Sequence, residues 1–434
     1  MPQRYDAVII GAGIIGAAIA TELARRGMRT LNIDKLPAAG YGSTGASCAI
    51  IRVHYSTLDG TALAYDGYFD WKHWAETVGV DDERGLAPFH ECGCLVMKTE
   101  HNQHLSNILP HIETLGIPHE HWDAAAIRER LPIYDLQRYA PARALRDEQF
   151  GQPTGGELQG GVFFPTAGYI GDPQLATHNL QRAAEAAGGE FRFGRTVTAI
   201  HVDNERVTGV SLDNGEEIHA PIVVNVAGPH SAKVNAMVGA ERDMSISTRA
   251  LRQEVVHVPA PEGFDFEHRG IVVSDSDISC YCRPETGNHI LVGSEDPPCD
   301  PREEVDPDDY NQVFSEQWTT QALRYAQRVP SLALPGQAQG VVDLYDVTED
   351  WIPIYDRACI DGYYMAIGSS GNQFKNAMAA GRLMAQLIDY CEQGHDHDHE
   401  PLQARCKYLD RTIDMAVFSR KRGINPNSSF SVLG

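Results

Sequence analysis

The chain has 434 residues, 42% apolar and 22% charged, and this length predicts two domains or one large domain with an insertion. Its formal net charge of −23 disfavours binding to nucleic acid and to anionic membrane surfaces, so an anionic substrate would need a local basic pocket. We expect a cytoplasmic protein, because the sequence has neither a membrane-spanning apolar stretch nor a signal peptide, and its nine cysteines contain no C-x-x-C pair typical of zinc sites.

The chain begins with the pattern of a βαβ unit. Residues 5–10 predict a buried strand, and residues 14–26 predict an alanine-rich helix that ends at Gly27. Residues 30–34 predict the second strand. The following segment, residues 35–50, is rich in Gly, Ser and Ala and is typical of a loop.

The middle of the chain alternates between helices and strands less regularly. Asp59 can cap the helix that follows the loop, whereas residues 85–170 predict inserted loops with short strands and helices. Residues 172–187 predict a regular helix, and residues 196–228 alternate strands with turns. The β-rich runs within residues 250–345 predict a second sheet.

The C-terminal part of the chain predicts two helices and a strand, with a glycine turn between the strand and the last helix. Residues 310–328 predict a helix, residues 363–367 a buried strand, and residues 374–391 a helix rich in small side chains, with Gly368 to Gly371 as the turn before it. The His/Asp run at residues 395–399 offers metal ligands, but a solvated acidic turn is favoured because nothing fixes its geometry. We expect no metal site.

A glycine fingerprint stands between the first strand and the first helix. Gly11 would make the tight turn, Gly13 would let backbone amides approach a pyrophosphate at the positive end of the helix, and Gly16 would let helix and strand pack closely. Asp34 ends the next strand and would accept hydrogen bonds from an adenosine ribose. The four residues together predict dinucleotide binding.

The segment after Asp34 favours FAD over NAD. Its sequence G-S-T-G-A-S, residues 42–47, offers the hydroxyls of Ser43, Thr44 and Ser47 on a flexible backbone. These groups suit the remaining pyrophosphate and ribityl oxygens of a long flavin dinucleotide. The alternative is a plain surface loop.

These motifs resemble those of the D-amino-acid-oxidase-like flavoprotein superfamily. The order G-A-G-I-I-G at residues 11–16, G-S-T-G-A-S at 42–47 and A-I-I-R at 49–52 carries the likeness, which is strongest to sarcosine oxidases (monomeric and beta-subunit types) and glycine oxidase. It extends through residues 224–231, 341–345, 350–354 and 368–375. The region from 85 to 165 contributes little.

The resemblance implies a site for a carboxylate over the flavin, formed by Arg52, Tyr345 and Lys375. An arginine fork binds a carboxylate with two parallel hydrogen bonds, a lysine adds a point charge, and a tyrosine adds a directional donor. Taken singly, these side chains could equally be surface ion pairs or a packed phenol. Further predicted walls of the substrate pocket are His54, Tyr55 and Trp351.

The fingerprint, the hydroxyl loop and the resemblance together give the predicted FAD contacts. Amides of the loop from Gly368 to Lys375 and the dipole of the following helix would face the flavin N1 and C2 carbonyl, where negative charge develops on reduction. The predicted contacts are Gly11, Gly13, Ile14, Ile15, Gly16, Asp34, Lys35, Ser43, Thr44, Ser47, Cys48, Ala49, Ile50, Val197, Ala227, Gly228, Gly368, Gly371, Asn372, Gln373, Phe374 and Lys375.

Several positions depart from the family's pattern. Asp343 stands where some sarcosine oxidases attach the flavin through a cysteine, and residues 43–50 lack the histidine used elsewhere, so we expect noncovalent FAD. The strand at residues 290–293 lacks an oxygen-activating lysine, and Ala49 replaces a basic residue. Both O2 and another electron acceptor therefore remain open.

The resemblance implies an α/β (α+β) fold in which a Rossmann-like FAD-binding domain is interleaved with a mostly antiparallel β-sheet substrate domain. The expected segments are residues 1–84, 166–240 and 340–390 for the FAD-binding domain, 85–165 and 241–339 for the substrate-binding domain, and 391–434 for a tail packed on the FAD domain.

The implied activity is FAD-dependent oxidation of a small secondary, N-methyl or D-type amino acid, by hydride transfer to flavin N5, to an imine that hydrolyses. Two alternatives remain: oxidation of a 2-hydroxy acid, which needs a histidine base near the flavin, and a flavin-holding subunit of a heteromeric complex. Relatives include single-chain enzymes and subunits, so homo- and hetero-oligomers both remain open.

Overall fold

The computed structural model describes residues 3–100 and 103–434 and has an α/β (α+β) fold. Residues 1 and 2 of the first predicted segment lie outside the described residues. The α-helices are α1 Ile14–Arg25, α2 Leu58–Lys72, α3 Trp74–Val78, α4 Gln103–Thr114, α5 Ala124–Arg130, α6 Pro173–Ala186, α7 Ser231–Ala236, α8 Phe266–Arg269, α9 Glu316–Arg328 and α10 Ala377–Glu392. Short 3-10 helices span Gly228–His230, Ala240–Asp243, Phe374–Asn376 and Met415–Phe418.

The strands of the described residues fall into five sheets. The strands in the first half of the chain are β1 Gln3–Arg4, β2 Ala7–Ile10, β3 Thr30–Asp34, β4 Ile50–Ile51, β5 Phe89–His90, β6 Cys94–Met97, β7 Glu120–Asp123, β8 Gly160–Phe164, β9 Gly168–Ile170, β10 Glu190–Phe193, β11 Val197–Asp203 and β12 Arg206–Leu212. Those in the second half are β13 Glu217–His219, β14 Ile222–Asn225, β15 Arg249–Pro259, β16 Val272–Asp275, β17 Cys280–Glu285, β18 His289–Ser294, β19 Glu303–Glu304, β20 Gly340–Val347, β21 Ile354–Arg357, β22 Tyr363–Ile367, β23 Gln403–Arg405 and β24 Thr412–Asp414.

The first large sheet has six strands in the order β10-β3-β2-β14-β22-β21. Its pairs are parallel except for the antiparallel edge strand β21. Along β2 the side chains alternate between two faces: Ala7 and Ile9 pack against α1 and α10, whereas Val8 and Ile10 pack against the four-stranded sheet β1-β13-β12-β11. The sheet is therefore buried on both faces, as its almost continuous apolar strands require.

The second large sheet has nine strands and is antiparallel apart from the parallel pair β16–β6. On one face Leu95, Val273 and Val292 pack with Trp318 of α9 in a separate apolar core. On the other face Cys94 and Tyr281 line the large cavity described below. The division of the chain into two interleaved domains stays a prediction.

The helix boundaries differ from the sequence predictions at three places. Helix α2 is capped by Thr57, whose hydroxyl accepts from the Gly60 amide, while Asp59 lies inside the first turn. Helix α9 begins at Glu316 because the Ser315 hydroxyl accepts from the amide of Gln317, so residues 310–315 lie outside it. Residues 374–376 form a 3-10 turn before α10.

Residues 85–165 are more regular than their sequence suggests, because they supply β6, β7 and β8 to the nine-stranded sheet. At the other end of the chain, Ala404, Ile413 and Phe418 pack in the apolar core around α10. The last residues then return to Arg52. None of the helices within the described ranges could cross a membrane, since each is too short or too polar.

Candidate functional site

A cavity of about 630 Å³ lies between the two large sheets, and this volume is within the range of small-molecule and cofactor sites. Most of the residues predicted to contact FAD or substrate line it. They are Gly11, Gly13, Ile14, Ile15, Gly16, Asp34, Lys35, Ser43, Thr44, Ser47, Cys48, Ala49, Ile50, Arg52, Val197, Ala227, Gly228, Tyr345, Gly371, Asn372, Gln373, Phe374 and Lys375.

One end of the cavity is formed by the glycine turn between β2 and α1. Gly11 has φ +117°, and a Cβ built there would lie 2.3 Å from the Val226 carbonyl oxygen. A Cβ at Gly16 would lie 2.4 Å from the carbonyl oxygen of Gly11. The turn therefore needs both glycines, and it leaves the N-terminus of α1 facing the cavity, as pyrophosphate binding requires.

Asp34 is fixed by the backbone at the same end. Its carboxylate accepts hydrogen bonds from the amides of Ala12 at 2.8 Å and Leu36 at 2.9 Å. These bonds hold the side chain at the end of β3, beside the glycine turn, where it can accept from a ribose hydroxyl.

The outer mouth of this end carries a network of charges. The Lys35 ammonium lies 2.7 Å from Asp308, and Lys233 donates to the same carboxylate at 2.7 Å. His230 lies 2.8 Å from both Lys35 and Asp308. Hydrogen bonds from Lys233, Lys35 and His230 hold the pKa of Asp308 well below its usual value.

The hydroxyl loop, residues 42–47, lines the cavity, and its hydroxyls form hydrogen bonds with backbone groups. The Thr44 hydroxyl accepts from the Ile14 amide at 3.2 Å, which ties the loop to the first turn of α1. Ser43 donates to the Leu344 carbonyl at 2.8 Å, and the Ser47 hydroxyl accepts from the Ala49 amide at 3.0 Å. The loop is thereby held against the glycine turn.

Arg52 is buried at the other end of the cavity. Its guanidinium donates to the carbonyls of His54, Val432 (3.0 Å) and Leu433 (2.5 Å). It forms no salt bridge within the described ranges, and burial lowers its pKa. Its hydrogen-bond acceptors are thus neutral oxygens.

Lys375 is the second buried cationic side chain, and only 4% of its surface is exposed. Its ammonium donates to the hydroxyl of Tyr55 at 3.1 Å and to the carbonyl of Asn372 at 2.5 Å. Burial, and secondarily the charge of Arg52, lowers its pKa well below the usual value. Both cationic groups lie over the ring of Tyr55, at 4.6 Å for Arg52 and 5.2 Å for Lys375.

Arg52 and the protonated form of Lys375 make this end of the cavity electropositive. Throughout the described part of the chain, neither forms a salt bridge with a carboxylate. An uncompensated buried charge is costly. An anionic ligand at this end would supply the missing charge.

Tyr345 lies between the two ends, on β20. Its ring packs on Gly371, where a Cβ would lie 2.5 Å from the ring, and its hydroxyl is 3.4 Å from that of Tyr281. Burial raises the pKa of Tyr345, so its phenol stays protonated and can donate. Sequence reasoning missed Tyr281, which belongs to a strand with no family motif.

Gly368 is the one predicted FAD contact that does not line the cavity. Its amide donates to the Asp346 carboxylate at 2.6 Å, and the Ser370 amide donates to the Asp346 backbone carbonyl at 2.7 Å. Gly368 thus shapes the turn, while Gly371 and Asn372 reach the cavity. Asp346 does line the cavity, but it was not predicted because the family motif at residues 341–345 ends at Tyr345.

Three predicted walls of the substrate pocket also lie outside the cavity lining. His54 stacks on Phe164 at 4.8 Å between centroids, and Trp351 packs in an apolar cluster beneath Arg302. Tyr55 lies behind the two cationic groups and donates to the Asn372 carbonyl at 2.5 Å. Their role as walls of the substrate pocket stays a prediction.

Several potential metal ligands among the described residues contact other protein groups. Two of the histidines in residues 395–399 contact separate partners, since His395 stacks on Tyr390 and His399 pairs with Asp396. Among the described residues, Asp82, Glu83 and His178 bring three ligand atoms within 4.8 Å of one another. The Asp82 carboxylate already accepts from His178 and Asn179, both at 2.7 Å.

The chain is similar to flavoenzymes over most of its length. The sarcosine oxidase subunit beta of Rhodobacter capsulatus is 25% identical over 89% of this chain and 85% of its own. The glycine oxidase of Geobacillus kaustophilus is 26% identical over 91% of this chain and 96% of its own. Among solved structures, the L-proline dehydrogenase of P. horikoshii superposes with a TM-score of 0.75 at 21% identity, covering 97% of this chain and 98% of the other.

A family model described as FAD dependent oxidoreductase, DAO, matches residues 6–387. This match covers both large sheets and every residue of the cavity discussed above except those near the end of the chain. The glycine turn and Asp34 have the geometry that an adenine dinucleotide requires. The chain therefore belongs to the DAO family of FAD-dependent oxidoreductases.

Proposed function

We propose that the chain oxidises a carbon–nitrogen bond of a small secondary, N-methyl or D-type amino acid such as sarcosine, giving an imine that hydrolyses in water. The observation that carries this proposal is the pair of buried cationic side chains, Arg52 and Lys375, which line one end of the cavity and form no salt bridge within the described residues. Such a pair suits a substrate carboxylate. The relatives are named for sarcosine, glycine and L-proline, and these compounds belong to the proposed substrate class.

The chain's own residues would divide the work between the two ends of the cavity. Gly11, Gly13, Gly16 and Asp34 would hold the dinucleotide part of FAD, and FAD supplies the hydride acceptor. At the other end, Arg52 and Lys375 would bind the carboxylate. Tyr345 would donate a hydrogen bond to it and orient the carbon–hydrogen bond that reacts.

Among the described residues that line the cavity, no histidine is placed to act as the base that the resemblance implies for 2-hydroxy acid oxidation. Removing a hydride from an alcohol needs a base for the hydroxyl proton, most often a histidine. The only histidine among the described residues that line the cavity is His230, which is bonded to Asp308 at the mouth. His54 is stacked on Phe164 outside the lining.

Flavin reduction under anaerobic conditions tests the proposal directly. Purified holoenzyme is mixed with sarcosine, L-proline, D-alanine or 2-hydroxyglutarate, and the flavin absorbance is followed. We expect bleaching with at least one of the amino acids and none with 2-hydroxyglutarate. Bleaching with the hydroxy acid alone, or with none of the four, would contradict the proposal. Reoxidation by air compared with a dye then distinguishes O2 from another acceptor.

We also infer that the FAD is bound noncovalently. Asp343 replaces the cysteine of some relatives, and Cys48, which lines the cavity, has its pKa raised by burial, so its thiol stays protonated and is a poor nucleophile. Acid precipitation should therefore leave the yellow colour in the supernatant. Colour in the pellet would contradict this inference. If the pellet of the Cys48→Ser variant were then colourless, Cys48 would be the attachment point.

A further inference from the structure

A buried carboxyl group stands behind the wall of the cavity. Glu295 follows β18, has only 6% of its surface exposed, and is anchored by its amide, which donates to the Ser279 carbonyl at 3.0 Å. Its carboxylate accepts hydrogen bonds from two serine hydroxyls, Ser274 at 2.6 Å and Ser276 at 2.7 Å. No cationic side chain in the described residues forms a salt bridge with it.

Ser274 connects this carboxyl to the cavity. It lies on β16 and lines the cavity, as do its strand neighbour Val272 and Tyr281 on the adjacent strand β17. Glu295 itself does not line the cavity. The serine hydroxyl therefore forms a single-residue bridge between the cavity and the buried carboxyl.

The groups that face Glu295 come from several elements. Its charge interacts with Arg52, Asp275, Cys94 and Cys280. Asp275 is already paired with Arg328 at 2.7 Å, and burial keeps both thiols protonated. Burial raises the pKa of Glu295 to about 7, so it can exchange a proton near neutral pH.

We propose that Ser274 and Glu295 receive the proton of the substrate's ammonium group, so that the cavity selects a zwitterionic amino acid and converts it to the neutral amine. This inference rests on the proposed function. Arg52 and Lys375 bind the carboxylate, and Ser274 accepts from the ammonium. The ammonium gives one proton to the Ser274 oxygen while the serine hydroxyl proton passes to Glu295.

The products of this step are a neutral amine and a neutral carboxylic acid, and no electrons move. The nitrogen lone pair that is set free then supports loss of hydride from the adjacent carbon. Ser274 contacts the substrate in this arrangement. Glu295 acts through Ser274.

The test follows anaerobic flavin reduction by sarcosine between pH 6 and pH 10. The quantity measured is the limiting rate of reduction divided by the sarcosine concentration that gives half of that rate. The wild-type value should rise with pH through the pKa of Glu295, because the carboxylate must be ionised to take the proton. In Glu295→Gln and Ser274→Ala this rise should move toward the pKa of the substrate's own ammonium. At pH 7 the value should fall about 100-fold, as for loss of a general base.

Two controls separate this role from a structural one. Methoxyacetate has an ether oxygen in place of the amine nitrogen, so its binding, measured by perturbation of the flavin spectrum, should stay within about twofold in both variants. Ser294→Ala removes another buried serine hydroxyl, which bonds the Asp296 amide and does not line the cavity. It should keep the wild-type pH profile.

An unchanged pH profile in Glu295→Gln and Ser274→Ala would overturn this inference alone, provided that sarcosine still bleaches the wild-type flavin. Loss of methoxyacetate binding in both variants would also overturn it, because Ser274 and Glu295 take up the proton of the ammonium group and do not bind the carboxylate. Failure of every amino acid to bleach the wild-type flavin would remove the proposed function and this inference together.

Discussion

Replacement of Lys375 by methionine should raise the substrate concentration needed for half-maximal flavin reduction by about 30- to 1000-fold, while the protein stays yellow. Lys375 is buried, and within residues 3–100 and 103–434 its ammonium donates to two neutral acceptors, the Tyr55 hydroxyl and the Asn372 carbonyl. Removing one member of a buried charge pair costs roughly 2 to 4 kcal/mol, which corresponds to this change. The measurement is the anaerobic reduction rate over a range of sarcosine concentrations.

The matched control is Lys72→Met, because Lys72 is an exposed lysine paired with Glu91. It should leave the substrate requirement unchanged. If Lys375→Met loses its flavin instead of its affinity for substrate, Lys375 belongs to the cofactor site. If neither property changes, the carboxylate site is elsewhere.

Arg52→Met should raise the substrate requirement as well, but it is a less clean test. The guanidinium also holds the carbonyls of Val432 and Leu433, and these must give way before a carboxylate binds in their place. The substitution leaves these carbonyls without their donor and should lower Tm. Lys375→Met should lower Tm less or raise it, since it removes a buried charge that forms no salt bridge in the described part of the chain.

Replacement of Gly11 by alanine should abolish FAD binding. A Cβ at this position would lie 2.3 Å from the Val226 carbonyl oxygen, and φ +117° is disfavoured for every residue with a side chain. Strand β14 pairs with β2 beside the turn, so relief of the clash must displace the first turn of α1. We expect a loss of roughly 4 kcal/mol or more in stability, measured as Tm together with the flavin-to-protein ratio.

Gly27→Ala is the control for the glycine substitution. Gly27 also has a positive φ, +84°, but a Cβ there would meet nothing within 4 Å. Its cost should be about 1 to 2 kcal/mol, the conformational penalty alone, and the flavin should remain. A Gly11→Ala protein with a full complement of FAD would show that the turn does not form the cofactor site.

The N-terminal half of the site was accessible to sequence reasoning because its geometry is local. Gly11, Gly13 and Gly16 lie within one turn, and Asp34 ends the strand that pairs directly with β2. Short-range sterics and strand pairing therefore bring these residues together in any chain with this pattern. The boundary of α2 was missed by two residues because both Thr57 and Asp59 are good caps, and backbone conformation chose Thr57.

The substrate end was only partly accessible, because its side chains come from strands and loops far apart in the chain. Position 345 carried a motif, but Tyr281, Ser274 and Glu295 carried none. They meet because β16, β17 and β18 are neighbours in the nine-stranded sheet.

The sequence by itself determined the dinucleotide fingerprint and the acidic balance of charge, since these depend on residue type and short spacing, whereas the three candidate residues for a carboxylate came from the family resemblance. The tertiary structure alone decided which side chains reach the cavity. It left His54 and Trp351 outside the cavity lining, tied Arg52 to the carbonyls of Val432 and Leu433, and buried Glu295 behind Ser274. The physical reason is that burial and direction depend on sheet pairing and packing between distant segments, which local sequence patterns do not encode.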